Sequence, residues 1–213
     1  MLSNYFTVKN EGIIQLIIQK SRFIGYVKRV ETEEAAQSFI SEVKKKHHDA
    51  NHNSSAYMIG ENNQIQKAND DGEPSGTAGV PMLEVLKKQD LKDTVIVVTR
   101  YFGGVKLGAG GLIRAYGSAT SQAIAAAGVV ERQLMQGISI VVSYSLLGKV
   151  ENVLRNSDHV LDSINYLEQV EFIVYVRDGE EANFREWITD ITSDQVTFET
   201  KGTAYVEIDV QFS

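Results

Sequence analysis

The chain has 213 residues, of which 43% are hydrophobic and 23% charged, and these values are typical of folded domains. It contains 0 cysteines, which excludes disulfide bonds, thiolate metal sites and a cysteine nucleophile. A net charge of -7 disfavours nonspecific binding to duplex DNA, and we expect no sequence-specific duplex partner. No apolar run approaches the roughly 20 residues that span a bilayer, so we expect a cytoplasmic protein with no membrane partner.

The charge is distributed unevenly along the chain. Residues 133–213 carry 5 Lys and Arg against 14 Asp and Glu, whereas residues 1–132 carry 16 against 14. A chain of this length is predicted to form two domains. We place them at residues 1–132 and 133–213, and only the first has the charge balance for a local basic patch.

The first half is predicted to be an α+β domain. Its strand patterns are IIQLIIQKSRFIGYVKRV, which contains two strands, then SSAYMIG, QIQKA and TVIVVTRYF. Its helix patterns are TEEAAQSFISEVKKKH with Thr32 as the N-cap, PMLEVLKKQ, and LIRAYGSATSQAIAAAG, which the last glycine ends.

The second half has a more regular pattern. In chain order we predict strand ISIVVSY, helix LLGKVENVLRN, strands VLDSINY and VEFIVYV, helix EEANFREWIT and strand AYVEIDVQF (residues 204–212). The segment VTFET, just before the last of these, is a further candidate strand. The order β-α-β-β-α-β is that of a ferredoxin-like domain. Nothing in this half indicates a catalytic centre.

A glycine-rich stretch, RYFGGVKLGAGGLIRAYG, joins a predicted strand to a predicted helix at residues 100–117. Exposed backbone N–H groups and the positive end of a helix dipole favour an anion at such a junction. The stretch lacks the GK[ST] of a Walker loop, and Ile113 stands where the Rossmann pattern needs its last glycine. A dinucleotide site is therefore not expected.

Three cations lie in or beside this stretch: Arg100, Lys106 and Arg114. With the exposed amides they could bind a phosphate or an acidic protein surface. The alternative is structural: the glycines permit a tight turn and positive φ, and the cations are solvated.

A second polar stretch is ANDDGEPSGTAGVP at residues 68–81. Asp70, Asp71 and Glu73 could bind Mg²⁺ or act as acid and base, with Ser75 or Thr77 as nucleophile or ligand. Spacing alone favours the simpler interpretation, in which the stretch forms turns and Ser75 or Thr77 caps the next helix.

The histidines of HHDANH do not predict a zinc site. His48 and His52 have the spacing of H-E-x-x-H, but Asp49 is shorter than the required glutamate and no third ligand is evident. His52 beside Asn53 is instead a candidate for a polar surface or site.

Four segments in this order, KSRFIG, ANHNSSAY, NDDGEPSGTAGVPMLEVL and TRYFGGVKLGAGGLIRAYG, resemble the signature segments of the IMPACT/YigZ family. The acidic half resembles the extra C-terminal domain of the bacterial members. The resemblance implies a first domain with the ribosomal protein S5 domain 2-like fold. It implies a second, ferredoxin-like domain similar to the last domain of elongation factor G.

The resemblance implies that eukaryotic relatives regulate translation initiation under stress through an activator of an initiation-factor kinase, and it assigns no catalytic residue, metal or cofactor. We take as binding residues the family's signature positions in this sequence and the loop glycines. They are Arg22, His52, Asn53, Asp70, Asp71, Glu73, Ser75, Arg100, Gly103, Gly104, Lys106, Gly108, Gly110, Gly111 and Arg114.

Two functional hypotheses follow. The preferred one is a non-catalytic protein that docks on the ribosome, structured RNA or a translation-associated protein through a basic, glycine-rich surface. The alternative is a phosphate-binding hydrolase or phosphotransferase that uses Asp70, Asp71 and Glu73 together with the glycine loop.

Overall fold

The computed structural model describes residues 2–210. Within them the chain divides into two compact units, which we call the N-terminal unit (residues 5–131 and 209–210) and the C-terminal unit (residues 2–4 and 132–208). The domain boundary that we place after residue 132 stays a prediction. The outer ends of both predicted domains lie outside the described residues.

The N-terminal unit is α+β, with strands and helices interspersed. Its elements are β1 (Asn4–Val8), β2 (Gly12–Ile18), β3 (Ser21–Arg29), α1 (Glu33–Lys46), β4 (His52–Ile59), β5 (Ile65–Asn69), α2 (Gly79–Lys88), β6 (Thr94–Tyr101) and α3 (Gly108–Ala127). All the predicted elements of this half are present, and β1 is an additional strand that we did not predict.

A five-stranded antiparallel sheet in the order β2-β3-β6-β4-β5 forms the centre of the N-terminal unit. Helices α2 and α3 pack on one face over a core that includes Phe23, Ile96 and Tyr116. Helix α1 packs on the other face, where its own Phe39 and Val97 of β6 belong to a second core. Because β6 is buried on both faces, its centre is a run of four apolar residues, 95–98.

Of two helix starts that the sequence predicts in detail, one is confirmed and one is wrong. Helix α1 is capped as expected, since the Thr32 hydroxyl accepts the Ala35 amide at 3.2 Å. Helix α3 begins at Gly108, four residues before the predicted start, so that the second half of the glycine run is its first turn. Glycine has a low intrinsic helix propensity, which hid this turn from pattern reading.

The C-terminal unit has the predicted order β-α-β-β-α-β. Its elements are β7 (Val129–Val142), a 3-10 turn (Tyr144–Leu146), α4 (Leu147–Arg155), β8 (Val160–Tyr166), β9 (Val170–Arg177), α5 (Glu181–Thr192) and β10 (Thr197–Asp209). Strands β8 and β9 pair, β9 pairs with β7, and β7 pairs with β10. Both helices cover a core that includes Ile138, Phe172 and Phe184.

The start of the first strand in this unit was predicted wrongly. Strand β7 begins nine residues before the predicted start, whereas β10 begins at Thr197, in the candidate strand VTFET, and continues as one long strand into the predicted last strand. Residues 211 and 212, the end of the predicted last strand, lie outside the described residues. No helix in the described part of the chain is both long and apolar enough to cross a membrane.

The loop that follows β6 packs directly against the turn between β2 and β3. The Gly103 amide donates to the Ser21 hydroxyl at 3.2 Å, and a Cβ on Gly103 would overlap the backbone of Lys20. Glycine is therefore required here by the close approach of two backbones. This contact determines where the loop begins.

We predict that Gly103→Ala lowers the free energy of unfolding by about 1–3 kcal/mol, because the new methyl group forces the two backbones apart. The matched control is Gly117→Ala in α3, where the nearest atom, Val85 Cγ2, lies 4.0 Å from the new Cβ. The free energy of unfolding of that variant should rise by about 0.5–1 kcal/mol. Equal stability of the two variants in denaturant titrations would contradict the assigned contact.

Candidate functional site

The candidate site lies where two loops meet at one end of the N-terminal sheet. We call residues 70–76, between β5 and α2, the acidic loop, and residues 102–107, between β6 and α3, the glycine loop. Strands β4 and β6 are neighbours, and His52 is the register partner of Arg100. The sheet therefore brings the start of β4 and the end of β6 to the same place.

Glu73 and Arg100 form a buried ion pair at this place. Arg100 Nη1 donates to Glu73 Oε1 at 2.8 Å, and the two side chains are 6% and 3% exposed respectively. The Tyr116 hydroxyl, from α3, donates to the same carboxylate oxygen at 2.7 Å. One carboxylate thus links the acidic loop to β6 and to α3.

Burial keeps the Tyr116 hydroxyl protonated. Burial, reinforced by the nearby Glu73 carboxylate, raises the pKa of Tyr116 far above its usual range. Tyr116 therefore acts as a hydrogen-bond donor at any physiological pH. Its role is to hold the carboxylate in place.

His52 contacts the acidic loop through both of its ring nitrogens. The Nδ1 atom lies 2.9 Å from the carbonyl oxygen of Asp71, so Nδ1 carries a proton and donates it. The Nε2 atom lies 3.7 Å from Glu73 Oε2. The hydrogen bond to the carbonyl oxygen thus holds the ring with Nε2 facing the carboxylate.

Asp70 caps the start of α2, a role that the sequence analysis assigned to Ser75 or Thr77. Its carboxylate accepts the amides of Gly76, Ala78 and Gly79 at 2.8–3.0 Å. Burial alone would raise the pKa of Asp70, but the three amides together hold it below its usual range. Thr77 instead donates to the carbonyl oxygen of Pro74 at 2.6 Å, and Ser75 is exposed.

Asp71 and Asn53 connect the acidic loop to α1 and β4. One Asp71 oxygen accepts from Lys44 Nζ and the other accepts the Asn53 amide, both at 2.7 Å. The Asn53 side chain is buried and accepts from the Thr99 hydroxyl at 2.7 Å. These two predicted site residues thus have structural partners.

The glycine loop leads into a helix start that lacks a side-chain cap. Gly104 and Gly108 have φ angles of 84° and 71°, which favour glycine. Gly108, Gly110 and Gly111 lie in the first turn of α3, which has no side-chain cap and no acidic residue. The positive end of a 20-residue helix is therefore exposed beside the loop.

The predicted cations occupy two different environments. Arg22, Lys106 and Arg114 are exposed, and the Arg22 guanidinium lies 4.2 Å from the centre of the Tyr101 ring. Arg100 is buried, so it does not contribute to an exposed basic surface as the sequence analysis had assumed. We call Arg22, Lys106, Arg114 and the glycines between Gly103 and Gly111 the glycine-loop surface.

A cleft of about 430 Å³ opens between the two loops. Its polar lining comes from Asn51, His52, Glu73, Arg100 and Lys106. Its apolar lining comes from Pro74, Phe102, Leu107, Ala109 and Leu112. The cleft therefore joins the buried ion pair to the start of α3.

The alternative hypothesis requires that Asp70, Asp71 and Glu73 converge on a metal or a water molecule. The structure directs each carboxylate to a different partner: backbone amides for Asp70, Lys44 for Asp71, and Arg100 with Tyr116 for Glu73. The arrangement therefore supports a framework of structural carboxylates more than a catalytic group of three.

The sequence analysis did not identify the polar role of Tyr116. Tyr116 is fully buried, and its face is otherwise lined mostly by alanine. A buried tyrosine hydroxyl needs a hydrogen-bond partner, and that requirement was the available signal. Ser54, which donates to the Asp70 carbonyl oxygen at 2.8 Å, carried no comparable signal.

Arg100→Met should lower the free energy of unfolding by about 3–5 kcal/mol, because it leaves the Glu73 carboxylate buried without its countercharge. The control Lys87→Met removes the exposed Lys87–Glu84 pair and should cost about 0.5 kcal/mol or less. Similar denaturation midpoints for the two variants would show that the buried pair is not needed for stability.

Asp70→Asn tests the cap through its pH dependence. Because the folded-state pKa of Asp70 is lowered, its contribution is complete above the unfolded pKa of about 3.9 and is lost as pH falls through the folded value. The substitution should lower the free energy of unfolding by about 1 kcal/mol at pH 7. The difference in this free energy between the variant and the original protein should become smaller below about pH 4. A pH-independent difference in unfolding free energy would argue against a charged cap.

Comparisons with known proteins agree with the family resemblance. A model described as "Impact N-terminal domain" matches residues 19–124, and one described as "Domain of unknown function (DUF1949)" matches residues 140–195. The IMPACT family member YvyE of Bacillus subtilis (strain 168) is 56% identical over 207 residues, covering 97% of this chain and 95% of that protein.

Two further matches extend over most of the chain. The IMPACT family member YigZ of Escherichia coli (strain K12) is 33% identical over 177 residues, covering 82% of this chain and 87% of that protein. A solved structure described as "Crystal structure of an hypothetical protein" covers 95% of this chain and 99% of its own, with TM-score 0.60 and 28% identity. Both family segments and this extent of identity show that the chain belongs to the IMPACT family.

Proposed function

We propose that this protein is a non-catalytic binding protein that docks on the ribosome through structured RNA, using the glycine-loop surface. The observation that carries the proposal is that Arg22, Lys106 and Arg114 are all exposed on chain segments next to the start of α3, which no described side chain caps. RNA backbones are recognised mainly through cations and amide groups, and this surface offers both.

The three cations come from chain segments that the fold brings together. Arg22 is the register partner of Tyr101, which directly precedes the glycine loop. Gly103 packs against the turn that precedes Arg22, and Lys106 and Arg114 follow on the loop and on α3. The glycines add no side chains that would keep a phosphate backbone away from the amides.

The acidic half of the chain supports a directed mode of docking. Residues 133–213 carry 14 acidic against 5 basic side chains, so an RNA surface repels them. A polyanion therefore approaches the basic face of the N-terminal unit. The charge distribution favours one orientation on the ribosome.

The family resemblance supports the same proposal. It implies that eukaryotic relatives regulate translation initiation. We extend the proposal to the fold: the N-terminal unit is of the ribosomal protein S5 domain 2-like type, and the C-terminal unit is a ferredoxin-like domain resembling the last domain of elongation factor G. The order β10-β7-β9-β8 is consistent with this second assignment.

The triple variant Arg22→Ala, Lys106→Ala, Arg114→Ala should remain folded and lose salt-sensitive sedimentation with ribosomes. The slope of log affinity against log salt concentration should fall by about 2, as expected for three lost phosphate contacts. The matched control changes Lys45, Lys88 and Arg155 to alanine, which removes the same charge from exposed positions elsewhere. Equal sedimentation of the two triple variants with ribosomes would refute the proposal that the glycine-loop surface is the docking surface.

Treatment with nuclease separates RNA from protein as the docking partner. If docking goes through RNA, digestion of exposed ribosomal RNA should release the protein from the sedimenting fraction. If the protein still binds ribosomal proteins after nuclease treatment, and the triple variant again loses this binding, the partner is a protein.

A further inference from the structure

The Arg100 side chain contains a buried donor that no described residue satisfies. Within residues 2–210, its Nε atom is buried and has no hydrogen-bond partner, although Nη1 and Nη2 contact Glu73 and Ser21. A buried unpaired donor is costly, and native proteins seldom leave one unsatisfied. Arg100 lines the cleft, and its guanidinium lies 5.5 Å from the centre of the Phe102 ring, so a ligand in the cleft would contact this side chain.

The start of α3 supplies the second polar element of the cleft. Gly108 and Ala109 line the cleft, and neither a side-chain cap nor an acidic residue occupies the first turn of the helix. The amides at a helix start point at any anion placed before it. Lys106, also in the lining, adds a positive charge at the same end.

The charges that line the cleft balance in favour of an anion. Arg100 and Lys106 are cationic, and Glu73 is the anionic group among the lining residues. Two donors, Arg100 and Tyr116, already occupy Glu73 Oε1 and reduce its repulsion of a ligand. Arg100, Lys106 and Glu73 together therefore give the lining a net charge of about +1.

The remaining lining is apolar and includes an exposed aromatic ring. Phe102 is 47% exposed, and its backbone amide is held by the Asn51 side chain at 2.8 Å. Pro74, Leu107 and Leu112 complete an apolar wall. An aromatic ring beside an anion site suits a base or sugar attached to a phosphate.

We infer that this cleft binds a single nucleotide, with its phosphate at the start of α3 near Lys106 and Arg100 and its base against Phe102. The volume of about 430 Å³ lies within the range of small-molecule pockets. The same chemistry is present in a free nucleoside monophosphate and in the phosphorylated end of an RNA strand. The inference goes beyond docking on the ribosome. It shares Lys106 and the start of α3 with the glycine-loop surface, and the variants below distinguish the two.

Calorimetric titration of the full chain with AMP, UMP, adenosine and inorganic phosphate tests the inference. The two monophosphates should bind, and adenosine and inorganic phosphate should each bind at least about tenfold more weakly, because each lacks one half of the ligand. Absence of monophosphate binding at about 1 mM, or equal binding of inorganic phosphate, would overturn the inference.

Ala109→Glu isolates the phosphate position, and Ala109→Gln is its matched control. The glutamate should weaken AMP binding at least about tenfold by repulsion, while the thermal stability stays equal or rises because an acid suits a helix start. Glutamine of the same size should retain AMP binding better than glutamate. Equal affinities of the two variants would refute the assigned position.

Phe102→Ala tests the base position, with Tyr144→Ala, an exposed aromatic in the C-terminal unit, as control. The first variant should weaken AMP binding at least about fivefold and leave inorganic phosphate binding unchanged, since stacking to the base is lost. An unchanged AMP affinity would refute the base position.

Two comparisons identify the source of the nucleotide and separate this inference from docking. Tighter binding of a 5′-phosphorylated oligoribonucleotide than of AMP would identify an RNA end, and the reverse order a free nucleotide. The double variant Arg22→Ala, Arg114→Ala leaves the cleft lining intact, so it should bind AMP normally and dock poorly on ribosomes. Loss of AMP binding in this variant would overturn the cleft assignment.

Discussion

The candidate site depends on the hydrogen bonds that the buried Glu73 carboxylate accepts. It accepts hydrogen bonds from Arg100 of β6 and from Tyr116 of α3, and its second oxygen faces His52 of β4. Three elements from distant parts of the chain thus meet at one side chain of a loop. Because the Glu73 and Arg100 side chains are 3% and 6% exposed, neither charge can be removed without leaving the other buried and uncompensated.

Much of the fold was predictable because its elements have strong local patterns. The buried run of β6, the capped α1 and the β-α-β-β-α-β order of the second half all follow from spacing and burial. The start of α3 could not be predicted in this way, because glycine has a low helix propensity. Gly108 is helical only because the later turns of α3 pack on the sheet. Strand β1 is short and lacked a clear pattern.

The candidate site was predictable as a set of positions but not as a set of roles. Sequence spacing identified the acidic loop and the cations, but it could not show that Arg100 is buried against Glu73 while Arg22 and Arg114 are exposed. It also could not show that Asp70, rather than Ser75 or Thr77, caps α2. These distinctions arise from pairings between residues far apart in sequence, which local patterns do not contain.

The division between buried and exposed groups has a consequence for how the site can change. Glu73, Arg100 and Tyr116 contribute to the stability of the fold, so substitutions among them carry a cost in folding. Lys106 and Ile113 are exposed, and their side chains can be exchanged with little effect on the core. A substitution at either exposed position therefore changes the surface near the start of α3, while the acidic loop, β6 and α3 keep the same arrangement.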